Sequence, residues 1–202
     1  LLDRPPDTVR MDCTPLERIR LADRRRAMGY VPQDTFLFSD TIRENVAFGI
    51  DDSVERGAAL DDHLRAVADR ARIFDEIKRL PRGLDSLLGE RGVNLSGGQR
   101  QRTAIARALA VDPPILLLDD CLSAVDAHTE TEILANLREV LRGRTTVIVT
   151  HRVSAARLAD RILVLEDGRV ADTGTHDELI ARGGLYARLA RRQSLEEQLE
   201  AA

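Results

Sequence analysis

Leu95-Ser96-Gly97-Gly98-Gln99, followed sixteen residues later by Ile115-Leu116-Leu117-Leu118-Asp119-Asp120, decides the fold. The first stretch is a glycine-bearing turn that opens a helix running from about Gly98 to Ala110 and stopped by Pro113-Pro114. A helix start presents unpaired backbone N–H groups and positive potential, which suit phosphate. The second stretch reads as a buried strand that delivers two carboxylates at its end. In an open α/β sheet ligands bind beyond the carboxyl ends of the strands, where carboxylates hold a metal ion or polarise water. Alone, an Asp after a strand often caps a turn, and a Gly-Gly pair often serves as a hinge. The order of the two segments and the following Ser123-Ala124-Val125-Asp126 favour nucleotide chemistry.

Outward from that pair, Thr145–Thr150 is a second apolar, β-branched run. With Ile115–Leu118 it has the look of parallel strands buried on both faces. The stretch 129–141 between them carries Ile133, Leu137, Val140 and Leu141 on one helical face, which completes a βαβ unit. His151 follows the second strand directly. Gln33 follows a short strand at Tyr30-Val31-Pro32, so both belong to the edge of Asp119 and Asp120. Either residue taken singly is an ordinary strand-end polar group.

Elsewhere, Val9–Asp12 reads as a strand, 15–26 as helix or turn, and 40–48 as loop then short helix. The acidic stretch 51–62 reads as a loop. Leu64, Val67, Ala71, Phe74 and Ile77 predict a helix over 63–80, ended by Pro81-Arg82-Gly83, and 89–94 is a glycine-punctuated loop. Ile162–Leu165 and Arg169–Ala171 flank an Asp167-Gly168 hairpin turn. Thr175 and Glu178 fit a capping box, and 185–202 is a charged helix. His63, His128 and His176 are assigned to helix starts or surfaces.

The 202 residues, 43% hydrophobic and 32% charged, suit a globular domain with a subdomain. No apolar run approaches the roughly 18 residues of a membrane span. A net charge of −4 argues against a nucleic-acid groove, and Cys13 and Cys121 have no metal or redox spacing. Lys78 is the single lysine and has no glycine loop before it, so the phosphate-cradling loop that ends in Gly-Lys-Ser/Thr is absent. The start at Leu1-Leu2, without Met, predicts a chain cut from a longer protein.

Five ordered motifs make the chain resemble the nucleotide-binding domain of an ATP-binding cassette (ABC) transporter. Asn94–Arg102 resembles the family's signature loop and helix, and Ile115–Asp119 its Walker B strand. Gln33 resembles the Q-loop, Ser123–Asp126 the D-loop, and Thr150-His151-Arg152 the H-loop. Gly174–Leu179 is similar to the family's C-terminal segment. Phe36-Leu37-Phe38, Thr41–Val46 and Gly89-Glu90-Arg91-Gly92 resemble the exporter branch.

The resemblance implies an α/β fold: a P-loop NTPase-like (RecA-like) parallel sheet with an α-helical signature subdomain at about 40–110. A core with the Walker B strand, D-loop and H-loop would span 111–184, and a C-terminal helix 185–202. The N-terminal strands and the P-loop would be missing, with Leu1-Leu2 the end of the P-loop helix. It implies ATP and Mg2+ as ligands and a second ABC ATPase domain as partner, paired head to tail around two nucleotides. Ser96, Gly97, Gly98 and Gln99 would contact the γ-phosphate bound to that partner. Asp119 would hold Mg2+, with Gln33 near the metal and the attacking water. His151 would stabilise transition-state charge, and Asp126 would help join the two sites. Phe36–Val46 would face the coupling helices of a transmembrane domain, placing the chain at the cytoplasmic face of a membrane as the ATPase of an exporter.

Two departures qualify that expectation. Without a P-loop the chain alone is expected to be inactive. Asp120 stands where the family usually carries a catalytic Glu, one methylene longer. This resembles the degenerate half of heterodimeric exporters, whose intact signature loop completes the partner's site. Cys13, where a turn Gly is common, is read as tolerated. A soluble ABC-type ATPase and a non-catalytic regulatory nucleotide-binding module are the alternatives.

Overall fold

The computed structural model describes residues 8–51, 57–89 and 93–200; Leu1-Leu2 and Glu90–Gly92 lie outside the described residues. The chain opens with a small antiparallel pair, β1 (Arg10–Met11) and β2 (Thr14–Pro15). Asp12 and Cys13 turn between them in the left-handed region, with φ of 47° and 63°. Cys13 therefore occupies a conformation that glycine adopts more readily.

The central sheet has three parallel strands in the order β3 (Met28–Val31), β4 (Ile115–Asp119) and β5 (Thr145–Val149). Gly29 pairs with Leu116 and Val31 with Leu118, while Leu116 pairs with Thr146 and Asp119 with Val149. The expected βαβ unit is present, with α6 (Ala127–Val140) as its crossover. The expectation of strands buried on both faces is corrected. Gly29, Val31, Leu116 and Leu118 point into the core, whereas Tyr30, Val147 and Val149 on the other face are exposed. Among the described residues helices cover one face only, so the apolar run of β5 alternates in burial instead of being enclosed.

The covering layer is built around α5 (Gly97–Ala110), with α1 (Leu21–Ala27) against β3 and α2 (Ile42–Ala47), α3 (Ala58–Arg70) and α4 (Phe74–Lys78) completing the helical region. Ile42, Val46, Leu64, Val67, Ile105, Leu116, Ile133 and Leu137 form one core. The stretch 15–26, expected as helix or turn, holds both: it begins at the end of β2, passes a 3-10 turn at Leu16–Arg18 and enters α1. The loop expected over 51–62 is already helical from Ala58. The helix expected over 63–80 is two helices. Arg72 breaks it with a φ of 55°, which turns Ile73 and Ile77 into the core and offers the Arg72 carbonyl to Arg102 at 2.6 Å.

A second, smaller core gathers Ile162, Val164, Leu179 and Tyr186. It joins the hairpin of β6 (Ile162–Glu166) and β7 (Arg169–Gly174) to α7 (Val153–Ala156), α8 (His176–Arg182) and α9 (Leu185–Glu200). Asp167 and Gly168 both have positive φ, as the tight hairpin turn requires. Thr175 and Glu178 form the expected capping box. No helix among the described residues is long and apolar enough to cross a membrane.

At Gly29 the sheet meets α5 closely enough that a Cβ would lie 2.8 Å from the Ala108 carbonyl oxygen and 2.8 Å from Pro113 Cγ. Backbone cannot yield as a flexible side chain can. Gly29→Ala is therefore expected to cost about 1–3 kcal/mol through overpacking, read as a lower denaturant midpoint in urea unfolding.

Candidate functional site at the carboxyl edge of the sheet

Asp119 and Asp120 stand at the end of β4. Asp119 closes the strand, and its Oδ2 accepts the Tyr30 hydroxyl across the exposed sheet face at 3.4 Å. Burial and the Asp119 charge hold the Tyr30 phenol above its usual titration range, so it remains a donor. The Asp120 N–H still joins the ladder, donating to Val149 O at 2.8 Å, but its φ is 43°. The chain turns there through the left-handed region, which Asp tolerates better than most residues. That bend carries the Asp120 carboxylate between two neighbouring strand ends. His151 Nδ1 lies 2.9 Å from its Oδ1, and Gln33 Nε2 donates to its Oδ2 at 3.5 Å. Gln33 and His151, which follow β3 and β5, thus converge on the Asp120 carboxylate that follows β4 between them.

The glycine turn is built as a capping box. Ser96 Oγ accepts the Gln99 N–H at 3.2 Å, and Gln99 Oε1 accepts the Ser96 N–H at 2.8 Å. Gln99 Nε2 also donates to Glu76 at 2.5 Å, so its side chain is turned into the helical region. Gly97 and Gly98 are the remaining first-turn donors of α5. A Cβ on Gly98 would sit 2.8 Å from the Ala124 carbonyl oxygen, which shows how closely this turn packs on the 123–126 loop.

That loop is held by Gln101 and Arg152, whose bonds to it no spacing in the sequence marks. Gln101, buried on α5, donates to Ser123 Oγ at 3.0 Å and accepts the Ala124 N–H at 2.9 Å. Arg152 donates to the carbonyls of Ser123 and Val125 at 3.3 and 3.4 Å. It also pairs with Glu130, a buried carboxylate that accepts from Ser154 as well. Asp126, expected to bridge two sites, caps α6 here by accepting the Thr129 N–H at 2.9 Å, and this bond lowers its carboxyl titration. His63 corrects its assignment to a helix start or surface. It lies within α3, half buried, and Nε2 donates to the Ala110 carbonyl at the end of α5 at 2.8 Å.

On the side of Phe36–Val46, Phe36, Phe38 and Phe48 form an exposed aromatic cluster, with centroids 5.2 and 4.7 Å apart. Arg107 of α5 lies over Phe38 and Phe48 and donates to the carbonyls of Phe36 and Asn45. Fully buried Asn45 fixes the loop, accepting Phe38 N–H and donating to the carbonyls of Phe38 and Thr41. A cleft of about 1240 Å³ opens here, lined by Phe38, Phe48, His63 and Arg107 among others. Neither Asn45 nor Gln101 carries a spacing signal that marks it from sequence.

No group of three or more metal-ligating side chains occurs among the described residues. Mg2+ seldom needs one, since it keeps waters and takes one or two carboxylates plus substrate phosphates. Asp119, and the carbonyl oxygen of the Gln33 amide, fit such a shared site.

Cys121 follows Asp120 but points into the core. Burial, aided by the two Asp charges, pushes its thiol up to about 12. The neutral form is therefore favoured in the fold, and the thiolate is withheld at neutral and mildly alkaline pH. Cys13 is exposed. Titration with an aromatic disulfide at pH 8 is expected to label Cys13 alone in the native protein and both thiols in denaturant.

The ABC transporter family description matches residues 1–123. Over 185 residues the chain is 47% identical to an ATP-dependent lipid A-core flippase of Cupriavidus metallidurans, an alignment covering 92% of this chain and 31% of that protein. It is 43% identical over 202 residues to the ABC transporter ATM1 of Toxoplasma gondii, covering 100% of this chain and 17% of that protein. Among solved structures, a bacterial Atm1-family ABC exporter with ATP bound matches with a TM-score of 0.81 and 45% identity, covering 91% of this chain and 31% of that one. The chain thus spans a minor part of the length of these relatives. Its fold is that of the family's nucleotide-binding domain, a P-loop NTPase-like core with a parallel sheet. On sequence and fold together, the chain belongs to the ABC transporter family.

Proposed function

We propose that this chain is the ATP-binding and ATP-hydrolysing component of an ABC exporter, working at the cytoplasmic face of a membrane. The observation that carries the reading is the convergence of Gln33 and His151 on the Asp120 carboxylate at the sheet edge, beside Asp119. Phosphoryl transfer asks for positioning and charge stabilisation more than for covalent chemistry. Mg2+, when bound with ATP, supplies charge neutralisation on the phosphates. Asp119 would hold it, with the Gln33 amide beside it. Asp120 accepts a proton from the attacking water, and His151 donates to the developing phosphate charge.

The capped turn at Ser96–Gln99 serves a second ABC ATPase domain. Its Gly97 and Gly98 N–H groups and the positive end of α5 face the γ-phosphate bound there. The phosphate-cradling loop that this site needs is not within the 202 residues, so the chain by itself is expected to hydrolyse ATP poorly. Phe36, Phe38 and Phe48 offer an apolar surface, beside a cleft with charged lining, for the coupling helices of a transmembrane domain. Asp120, shorter than the family's usual Glu, makes this the weaker site of a heterodimer, in which the intact signature turn completes the partner's stronger one.

The test is steady-state ATPase activity of the membrane-embedded transporter that contains this chain. His151→Ala is expected to lower turnover roughly a hundredfold at this chain's site, as loss of one charge-stabilising donor does. Ser96→Arg is expected to abolish turnover at the partner's site by placing a bulky cation in the turn. Unchanged total activity in Ser96→Arg would refute the trans-acting role. Asp120→Glu is expected to raise turnover at this chain's site; no change would remove the case for an impaired base.

A further inference from the structure

Gln193 lies on α9, 42 residues beyond His151, and grips the His151 loop with both ends of its amide. Its Nε2 donates to the His151 carbonyl oxygen at 2.6 Å, and its Oε1 accepts the Val153 N–H at 2.8 Å. One donor and one acceptor, meeting a carbonyl and an N–H two residues apart, reproduce what a neighbouring strand would supply. The loop needs such support. β5 ends at Val149 and α7 begins at Val153, so residues 150–152 belong to neither ladder nor helix. Within them, Thr150 Oγ1 accepts the Arg152 N–H at 3.0 Å.

The imidazole of His151 is 65% exposed, so packing does little to fix it. Its aim at Asp120 depends on where the backbone sets its Cα. The anchor for Gln193 is firm: Tyr186 and Ala187 on the same helix are buried, and Tyr186 belongs to the second core. We propose that Gln193 is a positioning residue, through which the C-terminal helix α9 sets the His151 loop in register with Asp120. The inference rests on the role given to His151 above. It makes α9 part of the reaction centre, because Gln193 holds the His151 and Val153 backbone from one side while Arg152 ties the same loop to the loop after β4 from the other.

The experiment compares the parent chain, His151→Ala, Gln193→Ala, Gln193→Glu and the double variant His151→Ala/Gln193→Ala in the complete transporter, each in a Ser96→Arg background that silences the partner's site, so that turnover reads this chain's own site. Gln193→Ala is expected to lower kcat roughly ten- to a hundredfold, the cost of a misplacement of about 1 Å. KM for ATP and Tm should stay unchanged. Gln193→Glu keeps the bond to Val153 but sets a carboxylate against the His151 carbonyl, so its kcat should fall at least as far. The double variant should be no slower than His151→Ala alone, because both act through one group. Hydrogen exchange should quicken at the Val153 amide in Gln193→Ala while α9 stays protected.

Full activity in His151→Ala would sink the role of His151 itself. A slow His151→Ala beside a fully active Gln193→Ala, or additive losses in the double variant, would overturn the inference alone. Loss of Tm or of protection along α9 in both Gln193 variants would also overturn it, making Gln193 a packing residue.

Discussion

The seating of α5 on the sheet is the constraint on which the other features depend. Gly29 removes the side chain that would hold the helix off β3, and the Ala108 carbonyl of α5 settles against the Gly29 backbone, with Pro113 and Leu116 beside it. Once seated, α5 is a rod of about 21 Å at 1.5 Å per residue. Three polar side chains leave it at different heights. Gln101 holds the 123–126 loop, Arg102 pairs with Glu76 and reaches the Arg72 carbonyl, and Arg107 holds the loop that presents Phe36. A rotation or shift of α5 therefore reaches the phosphate-facing turn, the sheet-edge loops and the aromatic surface together.

Asn45, Gln101 and Glu130 around that rod are costly to bury, and each is hydrogen-bonded. Asn45 has no exposed surface, yet its amide is used by Phe38, Thr41 and Arg107. Glu130 is buried with Arg152 and Ser154. Replacing such groups by apolar ones of equal volume can leave stability unchanged, whereas removing one partner strands a charge. Their effect here is geometric. Arg152 stitches the loop after β4 to the loop after β5, so the end of Asp120's strand and the end of His151's strand cannot separate without breaking that network.

Much of this was legible in the sequence where the signal is local. The four-residue apolar run before Asp119, the Asp167-Gly168 turn and the Thr175/Glu178 pair each carry their structure in adjacent residues, and the structure agrees with all three. The edge placement of Gln33 and His151 followed from counting residues past strand ends. The break at Arg72 was illegible because the apolar period of 63–80 continues across it with no glycine or proline; the bend is imposed by the core position of Ile73 and by Arg102. The one-sided burial of the sheet depends on what covers each face, which an apolar run does not specify. The bonding roles of Gln101, Glu130, Arg152 and Gln193 were illegible for a related reason: each is an ordinary polar helix or loop residue until the fold brings a partner more than twenty residues away within bonding distance.

Asp120 shows how backbone and side chain divide the work at such a site. Its N–H remains in the ladder with Val149, so the strand fixes where its Cα lies. Its left-handed φ then fixes the direction in which the side chain departs, and that conformation suits Asp better than a longer or branched residue. What side-chain length leaves to choose is reach. With one methylene the carboxylate stops within 2.9 Å of His151 and makes a contact inside the chain. With two it would project further from the strand end, toward whatever occupies the space beyond the edge. The short acid therefore favours holding His151 over contacting a water beyond it, and the same geometry that orders this loop limits how strongly the site can act as a base.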